Sequence, residues 1–156
     1  MTGWREFDPA LAQVLVELPD EAVLVVSGRG RLVQFLRGGD RMAVEASNDS
    51  PGDEPRLRDR QWRLADEWAG LWRRDFPRPA GQREADVIVA ETGHVLRNVW
   101  GWTGLDGFRY ESWIEITRKV FGFFPRSEER RIRWPGLGLP ERLHPDRMYE
   151  RSEEHV

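Results

Sequence analysis

Cysteine is absent from the 156 residues, which removes disulfides, thiolate nucleophiles and cysteine metal sites together and leaves oxidising and reducing compartments equally open. Lysine occurs once, at Lys119, so the basic residues are almost all arginine, a bias read as that of a GC-rich genome. Positive charge is not in excess: the formal net charge is −3, and no global field draws the chain to nucleic acid or anionic lipid. Long apolar runs are missing as well. No stretch approaches the roughly 18 residues of a membrane span, and the N-terminus lacks a basic segment followed by an apolar one. The default expectation is a cytoplasmic protein without membrane contact.

What is present suits one α+β domain. A hydrophobic content of 39% and 8 tryptophans are enough for a single core. Trp4, Phe7, Leu11, Val14, Leu15 and Leu18 recur at helical spacing. Asp8 and Pro9 suggest that this helix begins properly at Pro9, with Trp4 and Phe7 packed as a preceding turn. Residues 22–27, 32–37 and 42–47 are short apolar segments divided by Gly-rich turns, the pattern of an antiparallel meander. Gln34 and Glu45 interrupt those runs, which predicts one covered face and one partly open face.

Residues 48–55 read as a loop. The spacing of Leu57, Leu64, Trp68 and Leu71, widened by Trp62 and Trp72, predicts a second helix over 56–70 with Gly70 as its stop and the three tryptophans in the core. A short strand over 71–76 follows. Ala85, Ile88, Val89, Thr92, Val95, Leu96 and Val99 predict a long helix ending at Gly101. Residues 100–110 hold three glycines among aromatics, the mark of a tight loop pressed on apolar surface. Residues 114–124 are apolar enough to dock as a strand or short helix. Residues 126–133 read as one or two charged helical turns, 134–140 as an extended Pro/Gly-containing arm, and 142–156 as mobile. The expected division is a domain over 1–124 and an arm over 125–156.

Trp4-x-x-Phe7 before Leu11 and Leu18-Pro19, Val33-Gln34-Phe35, Glu45, Gly70-Leu71-Trp72, and Val95-Leu96-Arg97 before Tyr110 and Trp113 resemble the actinobacterial TY-Chap domain, of the YbjN and type III secretion chaperone-like family. The resemblance covers roughly residues 3–115. It implies a fold of helix, three-stranded meander, helix, short strand and long helix, and a non-enzymatic module without cofactor that holds a non-globular segment of a polypeptide client. Relatives place two strands between the second and third helices, whereas the reading of 71–80 leaves room for one. That departure puts in doubt the dimer that relatives build there, so monomer and homodimer both stay open. Accessible apolar positions expected to meet the client are Phe35, Trp72, Trp102, Phe108, Tyr110, Trp113, Trp134, Leu137 and Leu139. The arm is expected to lie over the domain's own groove or to reach a second subunit or partner. If it stands in for client peptide, truncation after Phe124 should raise peptide affinity.

Chemistry offers weaker patterns. Glu91-x-x-His94 has the spacing of a helical metal pair, but both fall on the expected polar side of the long helix and no second pair exists. A solvated ion pair is the expected reading. His144 and His155 lack ligand spacing, Gly28-Arg29-Gly30 and Gly136-Leu137-Gly138 are not phosphate loops, and no serine sits in a nucleophile elbow. The alternative function is a nucleic-acid accessory. Arg56, Arg58, Arg60, Arg63, Arg73 and Arg74 interleave with Trp62, Trp68 and Trp72, and Arg126, Arg130, Arg131 and Arg133 flank Trp134, although neighbouring acids cancel much of the field.

Overall fold

In the computed structural model, residues 3–47, 51–102, 104–120, 124–142 and 152–154 are described. The first helix, α1 (Trp4–Glu17), starts at Trp4 and not at Pro9. Phe7 N–H donates to Gly3 O at 2.9 Å, and Trp4 meets Phe7 edge to face at 6.0 Å, so aromatic packing draws the chain into helix before the proline. The meander forms as expected: β1 (Ala22–Gly28), β2 (Arg31–Gly38) and β3 (Arg41–Ser47) pair antiparallel in sequence order.

The expected helix over 56–70 is a single short helix, α2 (Glu54–Asp59), followed by a β-hairpin. Gln61 takes φ 69, while Gln61 N–H bonds Arg58 O at 2.9 Å and Trp62 N–H bonds Leu57 O at 3.0 Å. That left-handed exit satisfies the last carbonyls of α2 and turns the chain away. Next come β4 (Arg63–Asp66) and β5 (Leu71–Pro77), joined by a turn in which Asp66 accepts from the N–H groups of Trp68 and Ala69, at 3.0 and 3.1 Å. Gly70, expected to stop a helix, supplies φ 63 to this turn. The strand thought to be missing is therefore β4, and two strands do separate the second and third helices. Trp62 and Trp72 are core residues, but Trp68 stands fully exposed at the hairpin tip.

The third helix, α3 (Gln82–His94), runs on through a π-helical turn, Val95–Val99, to Gly101 at φ 71. After the aromatic loop, β6 (Arg109–Val120) pairs with β1 and with β7 (Phe124–Arg133). Residues 126–133 thus lie in a strand, correcting the charged helical turns, because pairing to β6 gives their backbone groups partners that an isolated charged segment lacks. The boundary expected between 124 and 125 falls at the start of β7. A short 3-10 turn, Pro135–Leu137, follows, and β8 (Ser152–Glu154) lies parallel to β7. Of the region expected to be mobile, 143–151 and 155–156 lie outside the described residues, as do Thr103, Phe121 and Phe123, the serine at 50 and the histidines at 144 and 155.

One sheet results, ordered β4-β5-β3-β2-β1-β6-β7-β8. Phe7, Leu11 and Leu15 of α1, Ala85 and Ile88 of α3, and the side chains of Leu24, Val26, Phe35, Met42, Val44 and Trp72 form its core on one face. Arg37 reaches under that face to the end of α1, donating to Val16 O at 3.1 Å and to Leu18 O. It thereby caps carbonyls that the helix leaves unpaired. Burial lowers the pKa of Arg37, and the nearby Arg78 adds to this, against a smaller opposing effect of Asp20.

Candidate peptide-binding surface

Strand alternation sends every second side chain to the face opposite the helices. Register brings these into rows across the sheet. Ala43 stands opposite Leu36, Leu36 opposite Val23, and Val23 opposite Trp113, giving an apolar strip that crosses β3, β2, β1 and β6. Asp75 extends the row at one end and Arg131 at the other. Val23, Leu36 and Trp113 are half-buried, and among the described residues no helix covers them. A groove of about 450 Å³ runs over Val23, Leu36 and Ala43, with Glu21, Arg41, Arg73 and Glu115 on its rim. Three strand spacings of about 4.8 Å make the apolar strip roughly 14 Å long, the reach of about four extended residues.

The adjacent row is mostly polar. Gln34 Nε2–H donates to Glu45 Oε1 at 2.8 Å, with Arg73 next to Glu45 and Val25 next to Gln34 in the register. Sequence alternation at Gln34 and Glu45 implied one partly open face without saying which, and both residues lie on the face opposite the helices. Floor and rim together offer an apolar strip bordered by both signs of charge, which suits an extended peptide with apolar side chains on one edge.

Of the nine positions expected to meet a client, Phe35, Trp72, Trp102, Phe108, Tyr110, Trp134 and Leu137 are buried, and only Trp113 and Leu139 are partly accessible. Phe35 and Trp72 belong to the core under the helices. Trp102 and Phe108 stack at 4.1 Å in the aromatic loop, as the glycine-aromatic pattern implied. Tyr110 OH accepts from Trp134 N–H at 2.9 Å, and Trp134 Nε1–H donates to Ser112 Oγ at 3.0 Å. Burial raises the Tyr110 pKa, against a smaller opposing effect of the Trp134 bond. The arm expected over 134–140 is thus packed on its own domain: Leu137 is buried, Tyr110 N–H donates to Pro140 O at 3.0 Å, and Glu141 bridges parallel to Tyr110.

Glu91 departs most from its expected place. It is buried, where a solvated side of the helix was expected. Arg60 holds both its oxygens, at 3.0 and 2.6 Å, while Trp62 Nε1–H donates at 3.0 Å and Arg74 stands 3.1 Å away. Burial alone would raise its pKa, but the Arg60 bonds, the Trp62 bond and the two arginine charges more than reverse this, and the carboxyl lies below the usual glutamate range. His94 instead meets Asn98, at 3.0 Å through Nδ1, and burial lowers its pKa. Among the described residues no three His, Asp or Glu side chains group to hold a metal ion, and no helix is long and apolar enough to cross a membrane.

Trp68 and the groove row are what sequence reasoning missed. A turn signal existed for Trp68 in Asp66 and Gly70, but apolar residues at helical spacing masked it. Comparison with known proteins found no matching curated protein and no matching solved structure. One family model does match, over residues 1–113, ending on Trp113 within β6. By that match the chain belongs to the TY-Chap3 family, the T3SS (YopN, CesT) and YbjN peptide-binding chaperones 3.

Proposed function

We propose that this chain is a non-enzymatic chaperone module that takes an extended, apolar segment of a partner polypeptide into the groove of its open sheet face. The observation carrying this reading is the strip Ala43, Leu36, Val23 and Trp113, left without a helix among the described residues and flanked by the hydrogen-bonded pair Gln34 and Glu45. Family membership supplies the class of ligand. Trp113 is the anchor, and the buried aromatics Phe35, Trp72, Trp102, Phe108, Tyr110 and Trp134, with Leu137, act from beneath by fixing the sheet's shape. Leu139 packs against that core. The polynucleotide alternative loses much of its support, since Arg60 and Arg74 are spent on Glu91, and Arg63 and Arg73 on Asp75.

Binding of a fluorescein-labelled apolar decapeptide, followed by anisotropy, tests the proposal. Replacing Val23 and Leu36 together by glutamine is expected to weaken binding about tenfold or more, as loss of two apolar contacts implies. Unchanged affinity in a variant that melts like the parent would contradict it. Light scattering on the same samples separates a monomer from a dimer formed through this face.

A further inference from the structure

The β1–β2 turn closes one end of the sheet, and its chemistry differs from that of the groove. Arg29 and Gly30 both take positive φ, 54 and 75, the geometry of a tight hairpin turn. Beside it lies an open cleft of about 330 Å³, lined by Arg31, Arg109 and Arg142 with Ser27 and Leu32, and by no acidic residue among those described. Arg29 adds a fourth guanidinium nearby, 5.7 Å over the Phe108 ring. Arg31 lies 5.3 Å over the Trp100 ring, and its Nη1 is shut from solvent without a hydrogen-bond acceptor. Several arginines elsewhere find carboxylates: Arg60, Arg63, Arg73, Arg97 and Arg131 each pair with Asp or Glu. Among the described residues, the three arginines of the cleft make no such pair. Nearby Glu141 is turned to Arg131 and Arg133, at 3.5 Å from the latter. In a chain of net charge −3, this is a local concentration of unspent positive charge.

We infer that this cleft binds carboxylates, those of an acidic stretch in the same polypeptide that lies in the groove. The inference rests on the peptide-binding reading and deepens it. Guanidinium forks pair bidentately with carboxylates, and the shared field of three of them falls when an anion enters. Position supplies the link to the groove. Arg109 and Trp113 are both on β6 and both on the open face, four residues or roughly 14 Å apart. A client that seats apolar residues at Trp113 therefore reaches the cleft with acids about four residues along the chain. A phosphate backbone would also satisfy guanidinium groups, but the cleft is small, at about 330 Å³, and the acidic whole offers no track for a polyanion.

The test uses the full chain and two labelled decapeptides, each with an apolar half and a second half of either glutamates or glutamines. The glutamate peptide is expected to bind about tenfold tighter in low salt, with the advantage fading as salt rises. Replacing Arg31, Arg109 and Arg142 by glutamine should erase that advantage and leave affinity for the glutamine peptide unchanged. Arg142→Gln alone, at an exposed position, should reduce the advantage several-fold and serves if the triple variant melts early. Equal binding of both peptides by the parent chain would overturn the cleft and leave the groove standing. An advantage that survives the substitutions would also overturn it. Failure of both peptides to bind would overturn the groove and the cleft together. Oligothymidylate binding more tightly than the glutamate peptide, and lost in the variants, would transfer the cleft to nucleic acid and overturn the assignment.

Discussion

Glu91 brings a carboxylate to a place on α3 that the core would otherwise fill with an apolar side chain. Three side chains from the α2 exit and β5 converge on it, so one residue ties the β4–β5 hairpin to the helix layer. Glu91→Gln is expected to cost about 1–3 kcal/mol at neutral pH. A folded-state pKa held below the unfolded value, about 4.3, contributes stability that is complete above it and is lost as pH falls through the folded value. The gap in denaturant stability between parent and variant should therefore be wide at pH 7 and narrow below about pH 4. A gap that does not narrow would show that the charge is not what holds the hairpin. Gly28 makes a second residue-scale case. A Cβ there would stand 2.6 Å from Phe108 Cδ1 and 2.8 Å from Gly107 O, so Gly28→Ala should lower stability by about 1–3 kcal/mol through overpacking, read as a fall in melting temperature. Neither role was legible in the sequence. Helical spacing places Glu91 beside His94 on a polar side, and only the fold reveals that Arg60 and Trp62 arrive there.

Elements show where periodicity succeeds and where it misleads. The meander was readable because alternation and glycine turns agreed over three segments. Residues 56–70 were misread because Leu57, Leu64, Trp68 and Leu71 also fit a helix, while nothing local announces that Gln61 adopts φ 69. Cross-strand pairing of Leu64 with Trp72 then takes over from helical burial. Trp68→Ala, at the exposed tip of this hairpin, should change stability by less than about 0.5 kcal/mol, whereas a core position would cost several. The C-terminal segment gives the opposite case. Trp134 is buried with both of its N–H groups bonded, so Trp134→Ala should cost about 3–5 kcal/mol in denaturant unfolding. Truncation after Phe124, expected from sequence to raise peptide affinity, removes Ile132, Trp134 and Leu137 from the core and should instead leave a chain with no cooperative melt. A truncated chain that melts sharply would contradict this packing role. Proline and glycine around Leu137 suggested an irregular arm, and irregular it is, but irregular backbone can still carry core side chains.

At the scale of the whole molecule, the family match ends at Trp113 while the core does not. β7 and the turn after it complete the helix face, and the other face carries the apolar strip of Ala43, Leu36, Val23 and Trp113. One-sided burial of the sheet was legible from Gln34 and Glu45. The identity of the strip was not, because the strongest apolar residues in the sequence, the tryptophans and phenylalanines, are mostly claimed by the core. Apart from Trp113, what stays partly accessible on the strip is modest, Val23 and Leu36 with Ala43 buried beside them, and composition alone cannot distinguish these from core. Amide NMR of the 18.3 kDa chain titrated with the apolar decapeptide tests the central claim most directly. Shifts that cluster at Val23, Leu36, Ala43, Arg73 and Trp113 and spare Ala85 and Ile88 are the predicted result. Shifts confined to α1 and α3, or none at saturating peptide, would contradict it.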